Sequence, residues 1–192
     1  MKIKNIIITF VSAIALLLST SVVSFAKVVG DKIVLGAAVS LTGKYSSNGV
    51  HTQNGYNMAV ERINSMGGIK VGGKTYKFEI IYYDDESNPK RAAQLAERLI
   101  SQDGVEFMLG PYSSGLTKAM APVTEKYGVP MVEANGASRS LFTKGYKYLF
   151  AVLAPANLYL DVAIRTAVEL NGGKVLKLQW HLNKTLFLKT LD

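Results

Sequence analysis

Apolar residues recur along the chain with two alternating spacings, and this pattern predicts strands and helices in turn. The run Ile33–Val39 is almost continuously apolar, which is typical of a strand buried on both faces. The next segment carries apolar residues at i, i+3, i+4 and i+7, the spacing of one helical face, at Tyr56, Ala59, Val60 and Ile63. Alternation of this kind favours an α/β fold, a doubly wound and mainly parallel sheet with flanking helices.

The same alternation continues to about residue 170. Further strands are predicted at Lys77–Tyr83, Val105–Leu109, Val129–Glu133 and Tyr148–Leu153. A second helix is expected to begin at Pro89 with Asn88 as its N-cap, because proline fits the first turn and asparagine accepts its free N–H groups. The second and third helices are predicted to bury Ala92, Leu95, Ala96 and Leu99, and Leu116, Ala119, Met120 and Val123. A last helix is predicted over 157–170.

Three polar loops follow predicted strands, at Leu41–Gly49, Gly110–Gly115 and Ala134–Ser138. Each is rich in Gly, Ser or Asn and carries few charges. Ligands of doubly wound folds bind beyond the carboxyl ends of the strands. Hydroxyls and backbone N–H groups at helix starts favour an anion, and a carboxylate is the modest case. Helix capping would explain any one loop equally well, but three loops on one edge favour a binding site.

Composition removes several classes of function. The chain has 192 residues, no Cys and two His, which excludes disulfides, thiolate metal sites and cysteine nucleophiles and disfavours a histidine-rich metal site. Its net charge is +8, but the basic residues are dispersed along the chain. A nucleic-acid groove needs clustered Lys and Arg, so nucleic acid is not an expected partner.

Motifs for catalysis and cofactor binding are also missing from the sequence. There is no GxGxxG after the first strand and no GxxxxGK[ST], so no nucleotide cofactor is expected. The segment Gly110–Gly115 lacks the G-x-S-x-G spacing of a nucleophile elbow. The acidic run Asp84-Asp85-Glu86 could suggest a metal site, although a solvated strand end, or caps for the turn before Pro89, is the favoured explanation. We expect a protein that is not an enzyme and has no metal or cofactor.

Residues 1–26 have the pattern of a cleavable signal peptide. Two lysines precede the apolar run Ile6–Leu18, and Ser24-Phe25-Ala26 fits a signal-peptidase site. The apolar run is short for a transmembrane span of about 20 residues. We therefore expect export to the periplasm and a mature chain that begins near Lys27. Without a cysteine to carry lipid, that chain would be free in the periplasm.

Five short motifs in a fixed order carry a family resemblance. They are Ser40-Leu41-Thr42-Gly43, Asn64-Ser65-Met66-Gly67-Gly68-Ile69, Tyr83-Asp84-Asp85 with Pro89, Gly110-Pro111-Tyr112-Ser113-Ser114, and Val129-Pro130-Met131-Val132. Together they make the segment 34–153 resemble the first lobe of a type I periplasmic solute-binding protein, of the branched-chain amino-acid (leucine-binding) family of ABC transporters. The resemblance implies a monomeric receptor that holds a small carboxylate-bearing solute in an interlobe cleft and delivers it to a membrane permease.

The resemblance also implies which residues bind the ligand. Ser114 matches the serine that binds the ligand carboxylate, while Asn135 and Ala137 match a second binding loop. Leucine-binding members have threonine at the position of Ala137, and Ser138 is a candidate to replace that hydroxyl. The candidate set is Tyr45, Tyr112, Ser113, Ser114, Asn135, Gly136, Ala137 and Ser138, with the two tyrosines flanking the ligand. A branched-chain amino acid, an aromatic acid, an amide and another small carboxylate all remain open.

The C-terminal part departs from the family pattern. Residues 27–153 would form the first ligand-binding lobe, and 154–192 the start of a truncated second lobe. One permitted codon choice for Lys177–Asp192 encodes the peptide IAMAFEQDPFSQDVR when it is read in another frame. This peptide resembles the start of the family's second lobe, which indicates a reading-frame slip. The alternative is an amphipathic tail helix. Because closure of one lobe over the other captures the solute, truncation would impair binding.

Two other classes of function stay open from the sequence. A hydrolytic enzyme on the same doubly wound scaffold would need a nucleophile–base pair, and none is recognisable. A ligand-binding ectodomain of a sensory receptor would be favoured by a hydrophobic span after residue 173, and the sequence has none there.

Overall fold

The computed structural model describes residues 28–172, 176–180 and 186–190. The predicted signal peptide and His181 lie outside the described residues. The strands are β1 (Val28–Val29), β2 (Lys32–Val39), β3 (Ile69–Val71), β4 (Lys74–Asp84), β5 (Met108–Leu109), β6 (Met131–Glu133), β7 (Leu149–Ala151), β8 (Leu176–Trp180) and β9 (Leu186–Thr190). The helices are α1 (Ser46–Ser65), α2 (Pro89–Ser101), α3 (Ser114–Tyr127) and α4 (Asp161–Leu170), with single 3-10 turns at Arg139–Leu141 and Ala156–Leu158.

The main sheet has the strand order β3-β4-β2-β5-β6-β7, and β1 pairs with β2. The pairs from β4 through β2, β5 and β6 to β7 are parallel, whereas β1–β2 and β3–β4 are antiparallel. Tyr82 donates a hydrogen bond to Asn57 of α1, while the next residue, Tyr83, lies against Arg98 of α2. Because neighbouring strand residues face opposite sides, α1 and α2 cover opposite faces. The predicted doubly wound, mainly parallel sheet is confirmed.

The main hydrophobic core lies between the sheet and the helix pair α2 and α3. The four predicted apolar positions of α2 are all buried, and Asn88 caps the helix by accepting from the N–H groups of Lys90 and Arg91 at 2.9 and 3.3 Å. The core residues are Val34, Ala38, Ala92, Leu95, Ala96, Leu99, Val105, Met108, Leu116, Met120, Ala121, Val129, Met131, Leu141 and Leu149. This core fixes the strand ends from which the polar loops leave.

Helix α1 is buried differently from the prediction. Its predicted apolar face is only half-buried and Ala59 is exposed, whereas its fully buried residues are Gly49 and Thr52. The reason is a close approach to the loop after β2, since a Cβ on Gly49 would lie 1.9 Å from the carbonyl oxygen of Ser40. Glycine therefore lets the first turn of α1 contact the sheet edge directly.

Part of the sheet face that carries α1 is not covered by any element in the described part of the chain. Leu109, Val132 and Phe150 are paired in register and so lie on one face. Val132 and Phe150 are 39% and 52% exposed. An apolar cavity of about 470 Å³ opens there, lined in part by Phe107, Leu109 and Val132. The main sheet thus presents an open apolar surface beside α1.

The C-terminal elements are a helix without buried residues and a separate pair of strands. No residue of α4 is buried, and the strands β8 and β9 form a separate antiparallel pair with Leu176 opposite Thr190. The alternative of an amphipathic tail helix is therefore wrong. The leucines of Leu176–Trp180 alternate with polar residues, which is the period of a strand rather than of a helix. No helix of the described segments combines the length and hydropathy that a membrane crossing requires.

Candidate functional site

Three loops meet at the carboxyl edge of the sheet. We name them the β2 loop (Ser40–Tyr45), the β5 loop (Gly110–Ser113) and the β6 loop (Ala134–Ser138). Their strands are neighbours in the order β2-β5-β6, so the loops lie side by side. The strand order also reverses at β2, because β4 lies on one side of it and β5 on the other. Such a reversal opens the crevice in which doubly wound folds bind ligands.

The acidic run after β4 holds the β2 loop in place. Asp84 accepts hydrogen bonds from the N–H groups of Leu41 and Thr42 and from the Thr42 hydroxyl, at 2.9, 3.2 and 2.7 Å. Asp85 accepts from the Ser40 hydroxyl at 2.6 Å. These carboxylates therefore organise the β2 loop. They also cap the turn before Pro89, as predicted, by accepting from the N–H groups of Glu86 and Ser87 at 2.9 and 2.8 Å, but Asp85 is fully buried rather than solvated. In the described residues no group of three or more His, Asp or Glu could hold a metal ion.

Hydrogen bonds to Asp84 change its acidity. Partial burial acts to raise its pKa, but the bonds from Thr42, Glu86 and Leu41 together outweigh burial and hold the pKa below its ordinary value. Asp84 is consequently ionised over the physiological range and keeps the β2 loop attached to β4.

The two predicted flanking tyrosines lie together. The rings of Tyr45 and Tyr112 meet edge to face, with centroids 5.5 Å apart and an interplanar angle of 70°. Both side chains are half-buried, and the Lys44 ammonium lies 4.6 Å from the Tyr45 ring centroid. This geometry is favourable for aromatic pairs, and it joins the β2 loop to the β5 loop.

The predicted serines are also brought together, and they do not cap helices. Ser114 Oγ accepts a hydrogen bond from the N–H of Ser138 at 3.1 Å, so its own proton remains available for another acceptor. Ser113 precedes α3, yet its side chain makes no capping bond. The Ser138 hydroxyl lies 2.9 Å from that of Ser140 and likewise makes no capping bond. Capping alone therefore does not explain these hydroxyls.

The backbone N–H groups of the β6 loop differ in whether they are hydrogen-bonded within the chain. The N–H groups of Asn135 and Gly136 both donate to the carboxylate of Glu133. The Asn135 side chain donates to Thr52 of α1 at 3.3 Å, and Gly136 is buried. Within the described residues the N–H of Ala137 has no intramolecular acceptor. Ala137 thus offers a backbone donor although it lacks a hydroxyl.

A pocket of about 400 Å³ lies beside these loops, and sequence reasoning missed most of its lining. It is lined by Asn48, His51, Thr52, Gly55, Tyr56, Tyr112, Ala134 and Asn135. Only Tyr112 and Asn135 belong to the predicted set. The α1 residues follow the spacing i, i+3, i+4, i+7 and i+8, so a polar helical stripe could have indicated them. The sequence analysis assigned Tyr56 to the apolar face instead.

Tyr56 connects this pocket to the β5 loop. Its hydroxyl donates to the carbonyl oxygen of Gly110 at 2.7 Å. Burial raises the pKa of Tyr56 well above its ordinary value, with the nearby Glu133 adding to the effect, so the hydroxyl stays protonated. The pocket therefore combines two tyrosine rings with amide, imidazole and hydroxyl groups.

The free donors of the site suit a carboxylate. They are the hydroxyls of Ser113 and Ser114, the N–H of Ala137 and the unpaired N–H groups in the first turn of α3. Neither Ser113 nor Ser114 is hydrogen-bonded to a histidine or carboxylate within the described ranges. The arrangement can hold an anion without a base to activate a nucleophile.

Comparison with known proteins places the chain in a family. Residues 32–179 match the family described as periplasmic binding protein. The chain belongs to the periplasmic binding protein family. Over 139 residues it is 30% identical to a leucine-, isoleucine-, valine-, threonine- and alanine-binding protein of Pseudomonas aeruginosa; the match covers 72% of this chain and 36% of that protein.

Solved structures give the same result. The substrate-binding protein LivJ of a branched-chain amino acid transporter from Streptococcus pneumoniae, in complex with isoleucine, matches with a TM-score of 0.59 and 29% identity, over 70% of this chain and 39% of that one. A solute-binding protein of an ABC transporter from Rhodopseudomonas palustris, in complex with 3,4-dihydroxybenzoic acid, matches with a TM-score of 0.60 and 26% identity, over 75% and 38%. The chain thus spans well under half the length of these relatives.

Proposed function

We propose that this chain is the substrate-binding component of an ABC transporter and binds a small carboxylate-bearing solute at the carboxyl edge of the sheet. The observation that carries the proposal is the convergence of three loops whose free hydroxyl and N–H donors lie beside a pocket of about 400 Å³. Membership of a family of binding proteins supports a role in capture rather than in catalysis.

The carboxylate would lie at Ser113, Ser114 and the N–H of Ala137, with Asn135, Gly136 and Ser138 shaping the loop around it. Tyr45 and Tyr112 would flank the rest of the ligand. Isoleucine and a dihydroxybenzoic acid, bound by the two structural relatives, both join a carboxylate to an apolar body. A branched-chain amino acid and an aromatic acid are therefore the two ligand classes proposed for this site.

The remaining parts of the proposal concern the whole protein. Residues 1–26 would direct export to the periplasm, 27–153 would form the first lobe, and 154–192 would begin a second lobe. The partners would be the solute and a membrane permease, with the receptor a monomer. Because a two-lobed receptor captures its ligand by closure, one lobe alone would bind its solute weakly.

A thermal-shift screen tests this function directly. The full-length chain is titrated with leucine, isoleucine, valine, benzoate and 3,4-dihydroxybenzoate, and a bound solute raises the melting temperature in proportion to its saturation. We expect at least one of these compounds to stabilise the chain. Ser114→Ala should lower the affinity for that compound by about tenfold or more, since one hydrogen bond to a charged group is lost.

The matched control is Ser101→Ala, which removes an exposed hydroxyl on α2 that donates to Glu97. This variant should bind as the unmodified chain does. The proposal fails if none of the compounds shifts the melting temperature, or if the two serine variants weaken binding equally.

A further inference from the structure

Glu133 is a buried acid that the candidate site does not use directly. It is the last residue of β6, its side chain is fully buried, and it lies on the core face of the strand together with Met131. Among the described residues no basic side chain pairs with it. A buried carboxylate without a cation is costly unless hydrogen bonds or a proton neutralise it.

The surroundings of Glu133 are built around its carboxyl group. One oxygen accepts from the N–H groups of Asn135 and Gly136 in the β6 loop, and the other lies against Thr117 Oγ in α3. Thr117 Oγ is also 2.9 Å from the carbonyl oxygen of Ser113. The carboxyl group of Glu133 therefore connects the β6 loop, through the Thr117 hydroxyl, to Ser113, which directly precedes α3.

Two glycines leave the space that this carboxyl group fills. A Cβ on Gly110 would lie 2.7 Å from Glu133 Oε2, and a Cβ on Gly136 would lie 2.9 Å from Glu133 Cδ. Distances under 3.0 Å are not tolerated without movement. The β5 and β6 loops thus each carry a glycine against the same carboxyl group, and the packing leaves no room for a larger side chain at either position.

The proton count favours the neutral acid. A threonine hydroxyl has one proton, and it faces two oxygens, those of Ser113 and Glu133. If Glu133 carries a proton, it can donate to Thr117 Oγ, and Thr117 can donate to Ser113. Burial also raises the pKa of Glu133, although the bonds from Thr117, Asn135 and Gly136 oppose this. Tyr56 of α1 interacts with Glu133 electrostatically.

We propose that Glu133, as a neutral carboxylic acid, is the positioning residue that joins the β5 and β6 loops into one site. Its bonds direct the Asn135 and Gly136 N–H groups into the core, which leaves Ala137 N–H and the Ser114 hydroxyl to face a ligand. Only this last step rests on the proposed function. The junction itself is a property of the free chain and can be measured without any ligand.

The first test compares Glu133→Gln with Glu133→Ala in the full-length chain. Glutamine matches the neutral acid, because its amide can donate to Thr117 and its oxygen can accept from the loop. We expect Glu133→Gln to keep the slow hydrogen exchange of the Asn135 and Gly136 amides. Glu133→Ala should speed that exchange by roughly fivefold to tenfold, as expected for loss of a buried hydrogen bond.

The pH dependence separates positioning from simple packing. A group whose folded pKa is raised contributes its full stability below its unfolded pKa and loses it as the pH rises through the folded value. The unmodified chain should therefore lose stability relative to Glu133→Gln as the pH rises from the ordinary glutamate pKa through the raised pKa of the folded state. At neutral pH the unmodified chain should also show the infrared band of a protonated carboxylic acid, and Glu133→Gln should lack that band.

A second pair of variants keeps the test informative if Glu133→Ala does not fold. Thr117→Val keeps the volume but removes the hydroxyl, and Thr117→Ser keeps the hydroxyl. Only the valine variant should speed exchange at Asn135 and Gly136. Equal exchange in both threonine variants, or a stability that changes with pH equally in Glu133→Gln and the unmodified chain, would overturn the proposal. Loss of ligand binding with these results intact would count against the proposed function alone.

Discussion

At the scale of single residues, strand-end carboxyl groups fix the loops of the candidate site. Asp84 holds the β2 loop as an ionised acceptor, whereas Glu133 holds the β6 loop from a fully buried position. The two acids differ because Asp84 is only partly buried and receives several donors, while Glu133 is surrounded by core residues. Two carboxyl groups at one edge of the sheet therefore take opposite protonation states.

Replacement of Asp84 should destabilise the chain in a pH-dependent way. Asp84→Asn keeps one acceptor oxygen for the Leu41 and Thr42 N–H groups, but its NH2 group cannot accept from the Thr42 hydroxyl as the second carboxylate oxygen does. We therefore expect a loss of about 1–2 kcal/mol at neutral pH. The folded pKa of Asp84 is lowered, so its contribution is present above the ordinary aspartate pKa and is lost as the pH falls through the folded value. Urea unfolding at neutral and acidic pH measures this difference.

Glu79→Gln on the same strand is the control, because Glu79 forms only an exposed ion pair with Lys32. That variant should change stability by at most a few tenths of a kcal/mol. A cost of Asp84→Asn that is the same at both pH values would contradict the assigned role of the carboxylate.

Residues next to one another in a motif were easier to predict than residues that meet only through the fold. Resemblance to a family supplied Ser114 and Ser138, and the structure places them in hydrogen-bond contact. The bond between Asn135 and Thr52 joins residues 83 positions apart, and no local pattern indicates it. Glu133 was predicted only as the last residue of a strand, because its contact with Gly110 of the β5 loop arises only through the fold.

At the scale of helices and strands, buried faces were predicted well where apolar spacing and a helix cap mark them in the sequence. The burial of α2 follows directly from its apolar spacing and its cap. In α3 the buried face includes Thr117 and Thr124 in place of the predicted Ala119 and Val123, which are only half-buried. Both threonine hydroxyls bond to helix carbonyls, so they can be buried, and a search for apolar positions alone overlooks them.

Removal of the α2 cap should destabilise the core helix. Asn88→Ala deletes the acceptor for the N–H groups of Lys90 and Arg91, and we expect it to cost about 1 kcal/mol in the free energy of unfolding. Asn88→Asp or Asn88→Ser should retain most of the stability, because both side chains cap well. Thermal and urea denaturation of the three variants provide the comparison. An alanine variant as stable as the aspartate variant would show that the cap contributes nothing.

At the scale of the whole molecule, the described chain has two open surfaces. The binding edge is open, and the sheet face around Phe107, Val132 and Phe150 is exposed beside α1. Large exposed apolar patches are uncommon on isolated soluble domains. Both features would reduce the stability of the chain and, under the proposed function, its affinity for a ligand.

The general fold was accessible from sequence because the strand and helix periods repeat along the chain and five motifs occur in order. The pairing of β8 with β9 was not anticipated, since the tail was interpreted as the product of a reading-frame slip or as an amphipathic helix. The α1 pocket was also missed, because its lining faces the β5 and β6 loops only after the sheet has assembled.

The central claim is that the β2, β5 and β6 loops act together as one carboxylate site. An amide-resolved NMR titration of the full-length chain with isoleucine and with 3,4-dihydroxybenzoate tests it most directly. We predict that at least one ligand shifts the Ser114 and Ala137 amides together with those of Tyr45 and Tyr112, at one common affinity. Shifts confined to a single loop, or centred on the apolar face around Val132, would contradict the account.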